Sequence, residues 1–382
     1  MVIQRRSIDL KPLRFMSPRM ATGLARAALA IGRLDQAVSG HPLLPALLYR
    51  ARLEAARRHA AVDGMLIDAW HLAAIIEGLR LRIAPDLSMP DRGRIFDAAH
   101  HAFEQYQWLA RPEFEQEGAI QDALAAIEGS APAELPALVA GGLGFHAWID
   151  RDGDRLSGRA ALIRFWRTHG VVRTPVPLTA AAALQADTPW AATPWINHFL
   201  VGLAAEAEEM LQLLLTLERT WFSARRAVAD RRRNSRAAAA IDVLAAAPLL
   251  SAKTLSLALG MAPRNAGALL DAFEAEGLVI EVSHRARRRL FGLSALAPLR
   301  DQTVGPRKPV PGRGRGRPRH SSLEISSMPD PALETPPQPL NPLERLSFDF
   351  SDLDHWLAEM NRVIHRAGQT LKHAQDRRRT EE

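Results

Sequence analysis

The chain has 382 residues, of which 47% are hydrophobic and 24% are charged, and it contains no cysteine. This length predicts two or three compact units, and the lack of cysteine excludes disulfides, thiolate nucleophiles and cysteine-ligated zinc. The formal net charge is +7, but residues 219–319 alone carry 20 Lys or Arg against 7 Asp or Glu. Such a basic block is typical of a region that binds nucleic acid, and the alternative is a solvated Arg-rich surface.

The start of the chain has basic residues, but the apolar run of a signal peptide does not follow them. No window of the sequence approaches the 18 uninterrupted apolar residues of a membrane span. We therefore expect a cytoplasmic protein with no membrane association.

Residues 1–135 are predicted to form an N-terminal helical domain. Apolar residues recur at spacings of three and four from Ser17 to Ile127, with breaks at residues 40–42, Pro85 and Pro90, and strand-like alternation is absent. Two helices are expected between Tyr49 and Glu77, with Asp68 capping the second.

Residues 129–142 are rich in Gly, Ala and Pro and predict a linker or loop. A second helical unit is expected over residues 140–230, ending in a long helix with a heptad stripe over residues 203–228. Either the core of the chain or a second copy must cover this stripe, so a homodimer through it is one hypothesis. The stripe consists of Leu203, Ala207, Met210, Leu214, Leu217, Trp221, Ala224 and Val228.

Residues 236–300 predict a winged helix-turn-helix. Helices are expected over residues 237–247, from Ser251 to Gly260, and over residues 263–276. Alternating apolar residues then predict a small β-hairpin with a cationic tip over residues 283–289. In this arrangement the third helix enters the major groove and the wing contacts phosphates or the minor groove.

The candidate DNA-binding residues fall into two groups. Arg264 and Asn265 begin the third helix, and their side chains are suited to two hydrogen bonds with guanine and adenine, respectively. The wing supplies cations for phosphates, and these are Arg285, Arg287, Arg288 and Arg289.

Residues 301–342 are rich in Pro, Gly, Ser and Arg and predict a disordered tether. Its segment Gly314–Arg319 resembles an AT-hook, so Arg315 and Arg317 are candidate minor-groove contacts, and a generic basic linker is the alternative. A last amphipathic helix is expected over residues 343–378. The predicted fold class is thus mainly α.

Two family resemblances follow from particular segments. Residues 45–77, which include Tyr49-Arg50-Ala51-Arg52-Leu53 and Ala61-Val62-Asp63-Gly64, together with the C-terminal helix-turn-helix, resemble an uncharacterised bacterial family that joins a helical domain of unknown function to a DNA-binding domain. That resemblance implies DNA binding and no established chemistry.

The overall plan more remotely resembles Fic proteins, helical AMP transferases that often end in a winged helix. Their signature corresponds to residues 146–155, where the resemblance implies a base at His146, a metal ligand at Asp150 and an anion loop at Gly153. Ala147 replaces the proline of the signature and Asp154 its asparagine, so we expect a degenerate motif rather than an enzyme.

The predicted function is sequence-specific DNA binding that regulates transcription, with double-stranded DNA as the partner. No cofactor, metal or catalytic residue is expected, and the sequence does not identify a small-molecule effector. The alternatives are a Fic-like AMP transferase with an accessory winged helix and a plasmid-maintenance or architectural DNA binder.

Overall fold

The computed structural model describes residues 17–84, 86–231 and 235–306. Helices form most of this part of the chain, which confirms the mainly helical fold class. Within it, the helices are α1 (Pro18–Val38), α2 (Leu44–Val62), α3 (Ala69–Ile76), α4 (Met89–Ala110), α5 (Phe114–Ser130), α6 (Ala137–Ile149), α7 (Arg155–Thr168), α8 (Ala192–Ala227), α9 (Ala237–Ala246), α10 (Ala252–Leu259), α11 (Pro263–Ala275) and α12 (Ala297–Asp301).

Four short strands form two antiparallel pairs in the described residues. Strand β1 (Arg80–Leu81) pairs with β4 (Thr303–Val304), with Arg80 opposite Val304. Strand β2 (Val279–Glu281) pairs with β3 (Phe291–Leu293), with Ile280 opposite Gly292. The pairing of β1 with β4 joins the N-terminal helices to the end of the described chain.

Several helix ends follow the local signals of the sequence. The Asp68 carboxylate accepts a hydrogen bond from the Trp70 N–H at 2.8 Å, which confirms the predicted cap of α3. Pro90 was expected to break a helix, but it lies in the first turn of α4 after the Ser88 cap. Proline is tolerated there because the first helical N–H groups have no partner within the helix.

The linker predicted over residues 129–142 is wrong for most of its length. Helix α5 continues to Ser130 and α6 begins at Ala137, so only residues 131–136 connect them. The glycines of α6 allow close packing: a Cβ on Gly144 would lie 2.5 Å from the carbonyl oxygen of Ile127. The composition of residues 129–142 predicted a flexible linker, whereas the glycines of α6 allow neighbouring segments to pack against this helix without a Cβ in the way.

The heptad stripe of α8 is covered by the chain itself. Seven of its eight side chains are buried, and α8 packs along most of its length against α1. Leu217 is half-buried. The stripe is therefore part of the internal core, and a homodimer through it would first have to separate α8 from α1.

Helices α9, α10 and α11 and the β2–β3 hairpin follow the predicted order. Ser251 caps α10, Gly260 ends it with a φ of 60°, and Pro263 begins α11. Ala266, Leu270 and Phe273 are fully buried on the inner side of α11. The returning strand begins at Phe291 rather than at residue 288, so the loop between the strands is longer than expected.

As far as the structure describes them, the segments predicted as separate domains over residues 1–135, 140–230 and 236–300 belong to one compact unit. The inner side of the hairpin explains this, because Val282, Ile280 and Leu290 pack into the same core as Tyr49 and Leu72. Trp221 and Arg225 of α8 also bind the Asp242 carboxylate of α9, at 2.8 and 3.1 Å.

The predicted tether begins at residue 301, but residues 301–304 are part of this unit. Asp301 is the last residue of α12, and residues 303 and 304 form β4. The rest of the tether, with Arg315 and Arg317, and the helix expected over residues 343–378 lie outside the described residues. Within the described ranges, none of the helices combines the length and apolar character needed to cross a bilayer.

Candidate nucleic-acid interface

The first turn of α11 presents the two predicted base-contacting side chains. Arg264 and Asn265 are both exposed. The residue before the helix, Ala262, has no side chain that can cap the free N–H groups of this turn. The N-terminal end of α11 therefore offers a guanidinium, an amide and the positive end of the helix dipole to solvent.

The hairpin lies beside the exposed face of α11. Arg264, Ala268 and Asp271 follow one another at helical spacing and are all exposed, so they share one face. Arg289 of the hairpin forms an ion pair with the Asp271 carboxylate and lies 3.5 Å from the Glu274 carboxylate. This pairing fixes the loop of the hairpin next to the face that carries Arg264.

The loop between β2 and β3 holds its arginines in a bent backbone. Its residues His284 and Arg288 have φ values of 51° and 56°, in the left-handed region that non-glycine residues rarely adopt. The side chains of Arg287 and Arg288 are exposed. The loop thus presents two arginines to solvent at its end.

A buried carboxylate organises the base of this loop. Glu281 is 5% exposed and accepts hydrogen bonds from the N–H groups of Ser283 and His284, at 2.8 and 3.0 Å. It also accepts a hydrogen bond from the Ser283 hydroxyl, and Arg300 donates to it at 3.1 Å. Sequence reasoning missed Glu281, because the alternation of Leu278, Ile280 and Val282 assigned position 281 to the polar side of the strand.

Lys253 is a further cation that sequence reasoning missed. A groove of about 670 Å³ runs between the first turn of α10 and the hairpin. Lys253 lines the α10 side of it, next to the capping residue Ser251, and the loop side carries three of the predicted arginines. Its position two residues after the predicted cap Ser251 is the sequence signal that could have identified it. The groove residues with a positive charge are Lys253, Arg285, Arg288 and Arg289.

Two of the predicted arginines have partners in the protein. Arg289 is bound to the acidic residues of α11 and lies over the Phe291 ring at 4.9 Å. Arg285 is half-buried and donates a hydrogen bond to the Gly78 carbonyl oxygen at 3.5 Å. Arg287 and Arg288 are therefore the more accessible cations of the loop.

The Fic-like segment spans the end of α6 and the start of α7. His146 is 7% exposed, its Nε2–H donates to the Trp190 carbonyl oxygen at 2.7 Å, and its ring stacks on Trp190 at 4.5 Å. The Asp154 carboxylate caps α7 by accepting from the Ser157 N–H at 2.7 Å. The Asp154 carboxylate therefore lies at the N-terminal end of α7, directly after Gly153, where the resemblance implies an anion loop.

The remaining residues of that segment also have structural contacts. Asp150 accepts a hydrogen bond from the Trp190 indole at 3.0 Å, and Gly153 packs against Trp148. Arg159 is buried and donates to Gln105 at 2.7 Å, and burial lowers its pKa to about 10. Among the described residues, no group of three or more His, Asp or Glu converges as a metal site.

Comparison with known proteins does not assign the chain to a family. No known family model matches the chain, and a search of curated proteins finds no similar sequence. The resemblances to a bacterial helix-turn-helix family and to Fic proteins therefore stay predictions.

Proposed function

We propose that this protein is a DNA-binding regulator in which α9–α11 and the β2–β3 hairpin act as a winged helix. The observation that carries the proposal is the exposed face of α11, where Arg264 and Asn265 stand beside a hairpin with exposed arginines. In such a domain the third helix occupies the major groove and the wing contacts the neighbouring backbone.

The side chains of the proposed interface have two roles. Arg264 and Asn265 carry the side chains that distinguish guanine and adenine through hydrogen bonds in the major groove. Arg287, Arg288 and Lys253 carry charges that phosphates attract regardless of sequence. We expect modest base specificity, because Gly267 and Ala268, which follow on α11, have no hydrogen-bonding side chain.

The first test is selection of bound duplexes from a random-sequence library, followed by anisotropy titrations of the full chain on the selected and a scrambled duplex. Replacing Arg264 and Asn265 together by alanine is expected to cost about 2 to 6 kcal/mol on the selected duplex, about 1 to 3 for each side chain, and little on the scrambled one. Arg94→Ala is the control, since replacing this exposed arginine of α4 removes the same charge at a position outside the proposed interface.

A salt titration tests the phosphate contacts of the hairpin. Arg288→Ala is expected to lower the slope of log affinity against log salt by about 0.9. Arg289→Ala is expected to change that slope less, because the acidic residues of α11 already neutralise its charge. Wild-type affinity in both Arg264/Asn265 and Arg288 variants would refute the proposed interface.

Capture of bound DNA across a genome would separate the regulator from an architectural binder. Discrete sites near promoters support regulation of transcription, whereas broad A·T-rich coverage would support the architectural alternative.

A further inference from the structure

A second cleft lies away from the proposed DNA interface, between α2, the start of α3 and α8. Its volume is about 350 Å³, within the range of about 300 to 1,000 Å³ of small-molecule sites. Apolar side chains form much of its lining, and a few charged groups of α2 and α8 complete it. The apolar part consists of Trp70, Pro177, Met210 and Leu213 together with Ala51, Leu53, Ala55 and Ala69.

Arg50 is the distinctive charged group of this cleft. Its guanidinium lies over the Trp70 ring at 4.4 Å and donates one hydrogen bond, at 3.3 Å, to the Ala295 carbonyl oxygen. No Asp or Glu among the described residues forms an ion pair with it. Burial lowers the pKa of Arg50 to about 10, so it remains a cation at neutral pH.

The carboxylates that line the cleft are already occupied. Glu206 accepts hydrogen bonds from the N–H groups of residues 179–181, at 2.8 to 2.9 Å. Glu54 binds Arg58 at 2.8 Å and also Arg57, and Glu209 binds Arg58. These groups are three carboxylates and two arginines, and each carboxylate has hydrogen-bond donors other than Arg50. Among the described residues, none of these carboxylates pairs with Arg50.

We propose that this cleft binds a small organic carboxylate with a flat apolar body. Its carboxylate would accept two hydrogen bonds from the Arg50 guanidinium, whose planar donors match that geometry. Its apolar body would pack between Trp70 and the α8 side chains Met210 and Leu213. A neutral compound of the same shape would leave the half-buried Arg50 without a counterion.

The same guanidinium connects the cleft to the hairpin. Ala295 lies in the short 3-10 turn Ser294–Leu296 that directly follows β3. A carboxylate that draws Arg50 into the cleft competes with the Ala295 carbonyl for its donors, so it removes a contact at the base of the hairpin. This second half of the inference rests on the proposed function: ligand binding weakens DNA binding, and DNA weakens ligand binding by the same factor.

Ligand binding is tested without DNA, by calorimetric titration of the full chain with phenylacetate and with phenylacetamide. Wild type is expected to bind the carboxylate at least tenfold more tightly than the amide. Arg50→Gln is expected to abolish that preference, while Arg94→Ala keeps it. Equal binding of the two compounds to wild type, or no binding of the carboxylate at millimolar concentration, would overturn the site.

Leu213→Trp provides a variant that does not disturb Arg50. Leu213 is half-buried at the edge of the cleft, so a larger ring there fills the cleft while the helix can stay folded, as circular dichroism would verify. This variant is expected to lose phenylacetate binding at least tenfold. A folded Leu213→Trp chain with wild-type phenylacetate affinity would refute the location of the site.

The regulatory half is tested by repeating the DNA titration with saturating phenylacetate. We expect at least a threefold loss of DNA affinity in wild type and none in Leu213→Trp. Phenylacetate binding with unchanged DNA affinity would overturn the coupling and leave the site in place. A chain that binds phenylacetate but no DNA would instead refute the proposed function.

Discussion

Glu281 is the side chain whose removal should most clearly separate the hairpin from the rest of the fold. Its carboxylate accepts from two backbone N–H groups, from the Ser283 hydroxyl and from Arg300, and it is 5% exposed. Glu281→Ala leaves the two backbone N–H groups and the Ser283 hydroxyl without this acceptor at the base of the loop, while Arg300 keeps its hydrogen bond to the backbone carbonyl oxygen of residue 281. The Arg300 side chain, 35% exposed, also loses its carboxylate partner.

The expected cost follows from these contacts. Breaking a buried charge pair by removing one partner costs about 3 to 5 kcal/mol. Because Arg300 retains some contact with water, we expect the lower end, about 3 kcal/mol. The loop should also lose its order, so DNA affinity should fall under conditions where the chain is still folded.

Urea unfolding followed by circular dichroism measures the loss, and an unchanged slope with urea ensures that the two chains unfold in the same way. Glu276→Ala is the matched control, since Glu276 is an exposed residue paired with Arg231, and such surface pairs contribute about 0 to 1 kcal/mol. A Glu281→Ala chain within 1 kcal/mol of the control, with wild-type DNA affinity, would refute the assigned role of this carboxylate.

Two further predictions concern the helical body. His59 is fully buried and burial holds its pKa well below 6.5, so only the unfolded chain takes up its proton below pH 6.5. Stability from this residue is full well above that pH, and wild type should lose about 1 kcal/mol more than His59→Gln between pH 6.5 and 5.5 in urea unfolding. Gly144→Ala should destabilise by about 3 kcal/mol, since its Cβ would meet a backbone oxygen. Gly118→Ala, in open space on α5, should stabilise by about 0.5 to 1 kcal/mol, and both are measured as thermal and urea unfolding.

Parallel loss of stability in wild type and His59→Gln on acidification would contradict the assignment of the pH effect to His59. For the glycines, the two variants serve as each other's controls because both add the same methyl group to a helix. A Gly144→Ala chain as stable as Gly118→Ala would contradict the close packing of α6 on α5.

Local signals in the sequence were sufficient for most helix ends. Ser251, Gly260 and Pro263 mark the boundaries of α10 and α11, and Asp68 marks the start of α3, where the structure has them. These signals work because a cap, a left-handed residue or a proline acts on backbone groups within one helical turn. The mainly helical fold class and these helix boundaries could therefore be predicted from the sequence.

Contacts between distant segments could not be predicted in this way. The glycines of α6 fit a packed helix or a linker equally well until Ile127 and the aromatic residues around them are in place. The α8 stripe suits an internal core or a dimer until α1 covers it. In each case the local pattern is the same, and only the packing partner differs.

The sequence by itself determined that this chain forms many helices and that arginines follow α11 on a turn between two apolar strands. The tertiary structure decided which of those arginines are accessible, because Asp271 and Gly78 hold two of them. It also placed Arg50 over Trp70 in a cleft, with no carboxylate partner in the part of the chain that the structure describes. The reason is that the partners of these arginines lie from 18 to 245 positions away in the sequence, whereas a helix end depends on groups within one helical turn.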